Sequence, residues 1–139
     1  MIVLSLEEFK KMPEYQDFIK DNPDIGTLKV QAFTAYNSVP VADAEVMITK
    51  DIDEYRIIFF GGVTDSSGII DNIELPAPLK STVGSIEAPL YTVYNLTAIH
   101  TGFESIKQYS IGMFGGIKVI QYIKMTPEVI LEGVEQDGD

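Results

Sequence analysis

The chain has no cysteine and no tryptophan, a single histidine, His100, and a single arginine, Arg56. Without thiols there is no disulfide framework, thiolate metal site or cysteine nucleophile, and redox chemistry leaves no mark of compartment. No apolar run reaches the roughly 20 residues that a membrane-spanning helix needs. The N-terminus, MIVLSLEEFKK, opens on a run of only four apolar residues, and charge begins at Glu7. It lacks the basic start and long apolar stretch of a secretion signal, so a cytoplasmic location is the default expectation. Bases are scarce as well: 10 Lys and Arg stand against 21 Asp and Glu, for a net charge of −11. Residues 1–25 carry six acids and three lysines, residues 127–139 carry five acids and no base, and the centre is nearer balance. Nucleic acid and anionic lipid surfaces both require clustered bases, so neither is an expected partner. The charge reads as a solubilising one.

What is present fits one folded domain. At 139 residues, 45% hydrophobic and 22% charged, the chain can bury a self-sufficient core. Ser5-Leu-Glu-Glu8 is a capping-box pattern that predicts a short helix over 6–12. Pro13 interrupts it, and Glu14 to Lys20 resumes helical spacing with Tyr15, Phe18 and Ile19 until Asn22-Pro23. This arm, residues 1–25, has apolar side chains to lay against the body or a partner. From Gly26 the period changes to two. Strands are predicted around 28–33, 44–49, Tyr55–Val63, Ile69–Leu75, Tyr91–Ile99, Glu104–Ile111 and Ile117–Met125, with Gly61-Gly62 as a bulge or bend. Seven short strands with no long helix between them predict an all-β fold, a seven-stranded antiparallel Greek-key β-sandwich over 26–126. An acidic tail, 127–139, follows and is expected to be mobile at its end.

The ordered motifs carry a resemblance. A strand opens at Gly26; then come Val39-Pro40-Val41-Ala-Asp-Ala44-Glu-Val46, Thr64-Asp65-Ser-Ser-Gly68, Tyr91-Thr-Val93 and His100-Thr-Gly102-Phe103. This resembles the transthyretin-like, carboxypeptidase regulatory-like β-sandwich family. The resemblance covers about 26–126 and looks closest to the subgroup found beside peptidoglycan-binding and cortex-lytic modules of Gram-positive spore formers. It implies a cell-wall component or a protein as partner, and association with the cell envelope. The related hydroxyisourate hydrolases use several histidines, an arginine and a C-terminal Tyr-Arg-Gly-Ser, whereas this chain has one histidine, one arginine and ends EQDGD. That activity is therefore not expected.

No residue pattern supplies a catalytic set, a metal site or a cofactor cradle. Asp65 at the first position of a turn and Gly68 at its exit are a hairpin signal. His100, Gly102 and Phe103 read as a corner that returns an aromatic to the core. Asp51, Asp53 and Glu54 suggest oxygen ligands for calcium, but Tyr-Arg-Ile-Ile follows instead of the required glycine and distant glutamate, and a solvated hairpin fits better. The tyrosines fall at strand positions suited to packing rather than to a sugar-stacking platform. Pro76 and Pro78 end the fourth strand, and the long loop to Pro89 is the candidate contact surface, with Leu79, Lys80 and Ile86 among its residues. The chain is thus expected to be a non-enzymatic binding or assembly module acting through a sheet face, the 76–89 loop and the arm. The alternatives are an accessory domain contacting a cell-wall peptidase or lytic enzyme, and a small hydrolase.

Overall fold

The computed structural model describes residues 1–36, 38–80, 90–103 and 106–128. Eight strands and two helices appear among them: β1 (Ile2–Ser5), α1 (Leu6–Lys10), α2 (Pro13–Asp21), β2 (Asp24–Thr34), β3 (Glu45–Ile52), β4 (Tyr55–Val63), β5 (Ile69–Ala77), β6 (Thr92–Ile99), β7 (Lys107–Met113) and β8 (Lys118–Met125). They form a five-stranded sheet, β1-β4-β3-β6-β7, and a three-stranded sheet, β5-β2-β8. Alternating side chains of the two sheets face each other as a sandwich core that includes Leu28, Val30, Ile48, Ile57, Leu75, Leu96, Met113 and Ile123.

Several expectations need correction. The described residues hold eight strands, β1 of the arm joining the seven that lie where seven were expected, and the sheets are mixed rather than antiparallel, because β1 runs parallel to β4 and β2 runs parallel to β8. Ile2–Ser5 is too short to display a period, and its last residue doubles as the helix cap. The bulge lies not at Gly61-Gly62 but one step earlier: Ile48 pairs with Phe60 and Thr49 with Ile58, leaving Phe59 as the extra residue. That sends two consecutive rings, Phe59 and Phe60, toward the core. Gly62 makes room for this, since a Cβ there would stand 2.8 Å from the tip of the Phe60 ring. Pro76 does not end its strand either. It sits within β5 opposite Ile25, tolerated because β5 is an edge strand with one side free of ladder bonds.

The N-terminal segment is built into the body. Ser5 Oγ accepts from Glu8 N–H at 3.1 Å and Glu8 Oε1 accepts from Ser5 N–H at 3.0 Å, closing the cap of α1. Pro13 opens α2 rather than breaking a helix, a position where its missing N–H costs nothing. Phe9 and Phe18 join the core, edge-on to each other and with Phe59 beside both. At the end of α2 the Asn22 side chain donates to Phe18 O at 2.9 Å and accepts from the Thr92 hydroxyl, which ties the helix to β6. Of the acidic tail, Pro127 and Glu128 are described: Pro127 bridges to Phe103, and Glu128 N–H donates to Gly102 O at 2.8 Å. Residues 129–139 lie outside the described residues. No helix among the described residues is long and apolar enough to cross a membrane.

Candidate functional site: the outer face of the five-stranded sheet

The residues singled out by sequence reasoning fall at separate places. Asp65 and Gly68 close the β4–β5 turn: one Asp65 carboxylate oxygen accepts from Ser67 N–H at 2.8 Å and Ile69 N–H at 2.9 Å, and Gly68 N–H donates to Asp65 O at 2.9 Å. Gly68 stands at φ 77 with its carbonyl bonded to Ala32 N–H at 2.7 Å, so the turn is pinned to β2. Its neighbour Thr64 is buried; its hydroxyl donates to Val41 O at 2.7 Å and accepts from Ala44 N–H at 2.9 Å. These are scaffold roles.

His100, Gly102 and Phe103 form the corner after β6. Gly102 takes φ 93, Phe103 N–H donates to His100 O at 3.1 Å, and the imidazole stands edge-on to the Phe103 ring with 5.1 Å between centroids. The His100 Nδ1 pairs with the Thr101 backbone carbonyl. Asp51 holds Arg56 through two bonds, Nε to Oδ1 at 2.8 Å and Nη2 to Oδ2 at 3.1 Å, and the guanidinium keeps the Asp51 carboxyl below its usual range. Asp53 occupies a tight turn at φ 54. No group of three or more acidic or histidine side chains among the described residues is arranged to hold a metal ion.

The proposed contact loop is corrected in part. Pro76 lies in β5, half-buried, where its carbonyl accepts from the Tyr94 hydroxyl at 2.6 Å, and Pro78 is buried. Leu79 and Lys80 are exposed, while Ile86, Pro89 and the rest of 81–89 lie outside the described residues.

The surface that does gather functional groups is the outer face of the five-stranded sheet. The ladder register stacks its outward side chains in rows. Ser110, Asn95, Thr49 and Ile58 make one row across β7, β6, β3 and β4; Gln108, Thr97, Met47 and Gly61 make the next; Ile99, Glu45 and Val63 follow. A depression of about 460 Å³ covers the polar end, with Thr49, Arg56, Asn95, Thr97, Gln108 and Ser110 in its lining. A second of about 350 Å³, lined by Met47, Ile58, Gly61, Val63 and Ile99, shares Thr97 with it. A third of about 640 Å³ at the His100 corner shares Glu45 and Ile99 with the second and adds Asp43, Phe103 and Ile106. Gly61 is part of the reason for the hollow, because nothing lies within 4 Å of where its Cβ would be.

Sequence reasoning passed over Thr49, Asn95, Thr97, Gln108 and Ser110. A signal was there: residues 91–99, YTVYNLTAI, contain no charged residue. A strand with one face in water ordinarily shows charge at its outward positions, and β6 shows none.

Comparison with known proteins bears on the fold. No protein-family model matches the chain, and no curated protein matches it. Among solved structures, the Bacillus anthracis TIE protein aligns with a TM-score of 0.52 at 14% identity, over 75% of this chain and 17% of that one. An (S)-allantoin synthase aligns with a TM-score of 0.50 at 12% identity, over 83% of this chain and 46% of that one. A Klebsiella pneumoniae 5-hydroxyisourate hydrolase gives 0.49 at 16% identity, over 75% of this chain and 92% of that one. The chain thus spans 17% of the length of the TIE protein and under half of the allantoin synthase. At these identities the likeness is one of fold, and the fold is transthyretin-like.

Proposed function

We propose that this chain is a non-enzymatic binding module that acts through the outer face of its five-stranded sheet. One observation carries the reading: the side chains of Thr49, Asn95, Thr97, Gln108 and Ser110 make no hydrogen bond with other described residues, although they stand together in one depression. Beside them Met47, Val63 and Ile99 are left 43%, 55% and 39% exposed. Convergent polar groups next to an apolar surface are what recognition sites share. The arm contributes differently, since Phe9 and Phe18 are in the core. The reading also draws on the His100 corner: the imidazole bonds a backbone carbonyl, with no hydroxyl or carboxylate partner among the described residues, and a general base needs such a pair.

Two measurements test this. A panel of ester, amide and glycoside substrates should show no turnover; turnover abolished by His100→Ala would overturn the non-enzymatic reading. Immobilised chain and its Met47→Glu variant should be compared for what they retain from extract of the native cells. A species held by the first and lost by the second supports the face, and identical retention argues against it.

A second reading draws on the motif order Val39–Val46, Thr64–Gly68 and His100–Phe103 and the resemblance it carries. The chain would then belong with the domains that accompany peptidoglycan-binding and cortex-lytic proteins of spore formers, and its partner at the cell envelope would be a peptidase or lytic enzyme. Recovery of such an enzyme in the retained fraction would select this reading.

A further inference from the structure

The polar end of the face carries a ligand class, an inference that rests on the reading of this face as the binding surface. Thr49 is only 7% exposed, yet its hydroxyl has no hydrogen-bond partner among the described residues. No fully buried side-chain oxygen or nitrogen among them lacks a partner, so this hydroxyl opens onto the depression it lines. An unpartnered hydroxyl so deeply set is costly unless water or a ligand meets it. Asn95 and Ser110 lie in its row, and Thr97 and Gln108 pair in the next. With strands about 4.8 Å apart, the first row offers hydrogen-bonding groups over roughly 10 Å and the second over about 5 Å.

The chemistry of these groups narrows the ligand. Each of the five side chains can both donate and accept, and none is charged. Arg56 at the rim is already neutralised by Asp51. A charged ligand therefore finds no counter-charge. An extended peptide laid across the face finds no free backbone over β3 and β6, because β3 is bonded to β4 and β6, and β6 to β3 and β7; the open edge of β7 lies beside the face rather than on it. The ligand that matches has uncharged groups that donate and accept at once, together with C–H faces that want apolar contact. Ile58 and Met47 provide that contact in the same two rows as the polar side chains. We infer that the outer face is a glycan site: a neutral oligosaccharide lies across β3, β6 and β7, its hydroxyls bonded to the five polar side chains and its ring C–H faces on Ile58 and Met47. The site uses no aromatic platform. The depression, about 460 Å³, is within the range of small-ligand sites.

The test is a backbone amide NMR titration of the isotope-labelled chain with cellotetraose, tetra-N-acetylchitotetraose and maltotetraose in turn, and separately with a neutral glycine–serine peptide. At least one sugar should move the amides of residues 47–49, 95–97 and 108–110 and saturate with a Kd on the order of millimolar. Thr49→Val keeps the side-chain shape, removes the hydroxyl and should weaken binding about tenfold; Asn95→Ala serves as a second variant if the first does not fold. Sugar binding of equal strength in the folded variant, shifts elsewhere on the molecule, no shift with any sugar, or a response to the peptide alone would each overturn the assignment. If sugars leave the face untouched while Met47→Glu still abolishes retention, the glycan assignment fails and the face remains the binding surface. If retention is unchanged too, both fail.

Discussion

Two glycines show how differently the same residue type is used. Gly68 is held at φ 77, and a Cβ there would stand 2.3 Å from Ala32 O and 3.2 Å from Val41 N. Both atoms are backbone, fixed by the β2 ladder, so neither can give way cheaply. Gly68→Ala combines a left-handed-backbone penalty with a steric one and should lower unfolding free energy by about 2–4 kcal/mol in urea denaturation. Gly61 takes an ordinary backbone angle with open space around it. Gly61→Ala should stay within about 0.5 kcal/mol of the native chain or exceed it slightly, because Ala constrains the unfolded state. Equal losses for the two would show that loss of glycine as such, rather than the local backbone, sets the cost. The Asp65–Gly68 turn was legible because all its determinants lie within a few residues of each other. Thr49, Asn95 and Ser110 were not, because what joins them is register between strands that are distant in sequence.

At the scale of elements, alternation tells which face a side chain takes but not which strand lies beside it. Tyr55–Val63 was read with the bounds it has, and the β-sandwich class followed from several such segments. The pairing of β1 with β4 was hidden, since Ile2–Ser5 meets a partner more than 50 residues away. The bulge at Phe59 was hidden by its neighbours: two glycines in a strand signal irregularity, and here Gly62 accommodates a bulge formed by bulkier residues. The N-terminal segment gives the clearest energetic prediction at this scale. Its capping box should be worth about 1 kcal/mol, read as the destabilisation by Ser5→Ala. Phe9 is fully buried among Tyr15, Phe18 and Phe59, so Phe9→Ala should cost about 3–5 kcal/mol. If Phe9→Ala cost no more than Ser5→Ala, the segment would be a loosely attached arm.

For the whole molecule, pH acts from both sides. On the acid side three carboxyls are held below their ordinary range: Glu8 by the Ser5 N–H, Asp51 by Arg56, and Asp71 by the Asn72 N–H and then Lys118. Each folded value lies below its unfolded one, so their stabilisation is complete above the ordinary carboxylate range and is lost as pH falls through the lowered values. All three are exposed, so each effect is small. Protonation also relieves the self-repulsion of a −11 chain, which works the other way. The alkaline side has a single dominant group. Tyr94 is fully buried in β6 and donates to Pro76 O in β5, a bond that joins the two sheets. Burial pushes its phenol far above the ordinary value, while in the unfolded chain it ionises near pH 10. The folded value exceeds the unfolded one, so the stability this phenol confers is fully present below about pH 10 and declines as pH rises beyond it. Tyr94→Phe should cost about 1–2 kcal/mol at neutral pH, because Pro76 O loses its partner. Above pH 10 the variant's urea midpoint should fall less steeply than the native chain's. Tyr55, also raised, first by desolvation and then by Glu54, leaves some slope in both. Parallel curves would show that the Tyr94 phenol is not what limits the fold in alkali.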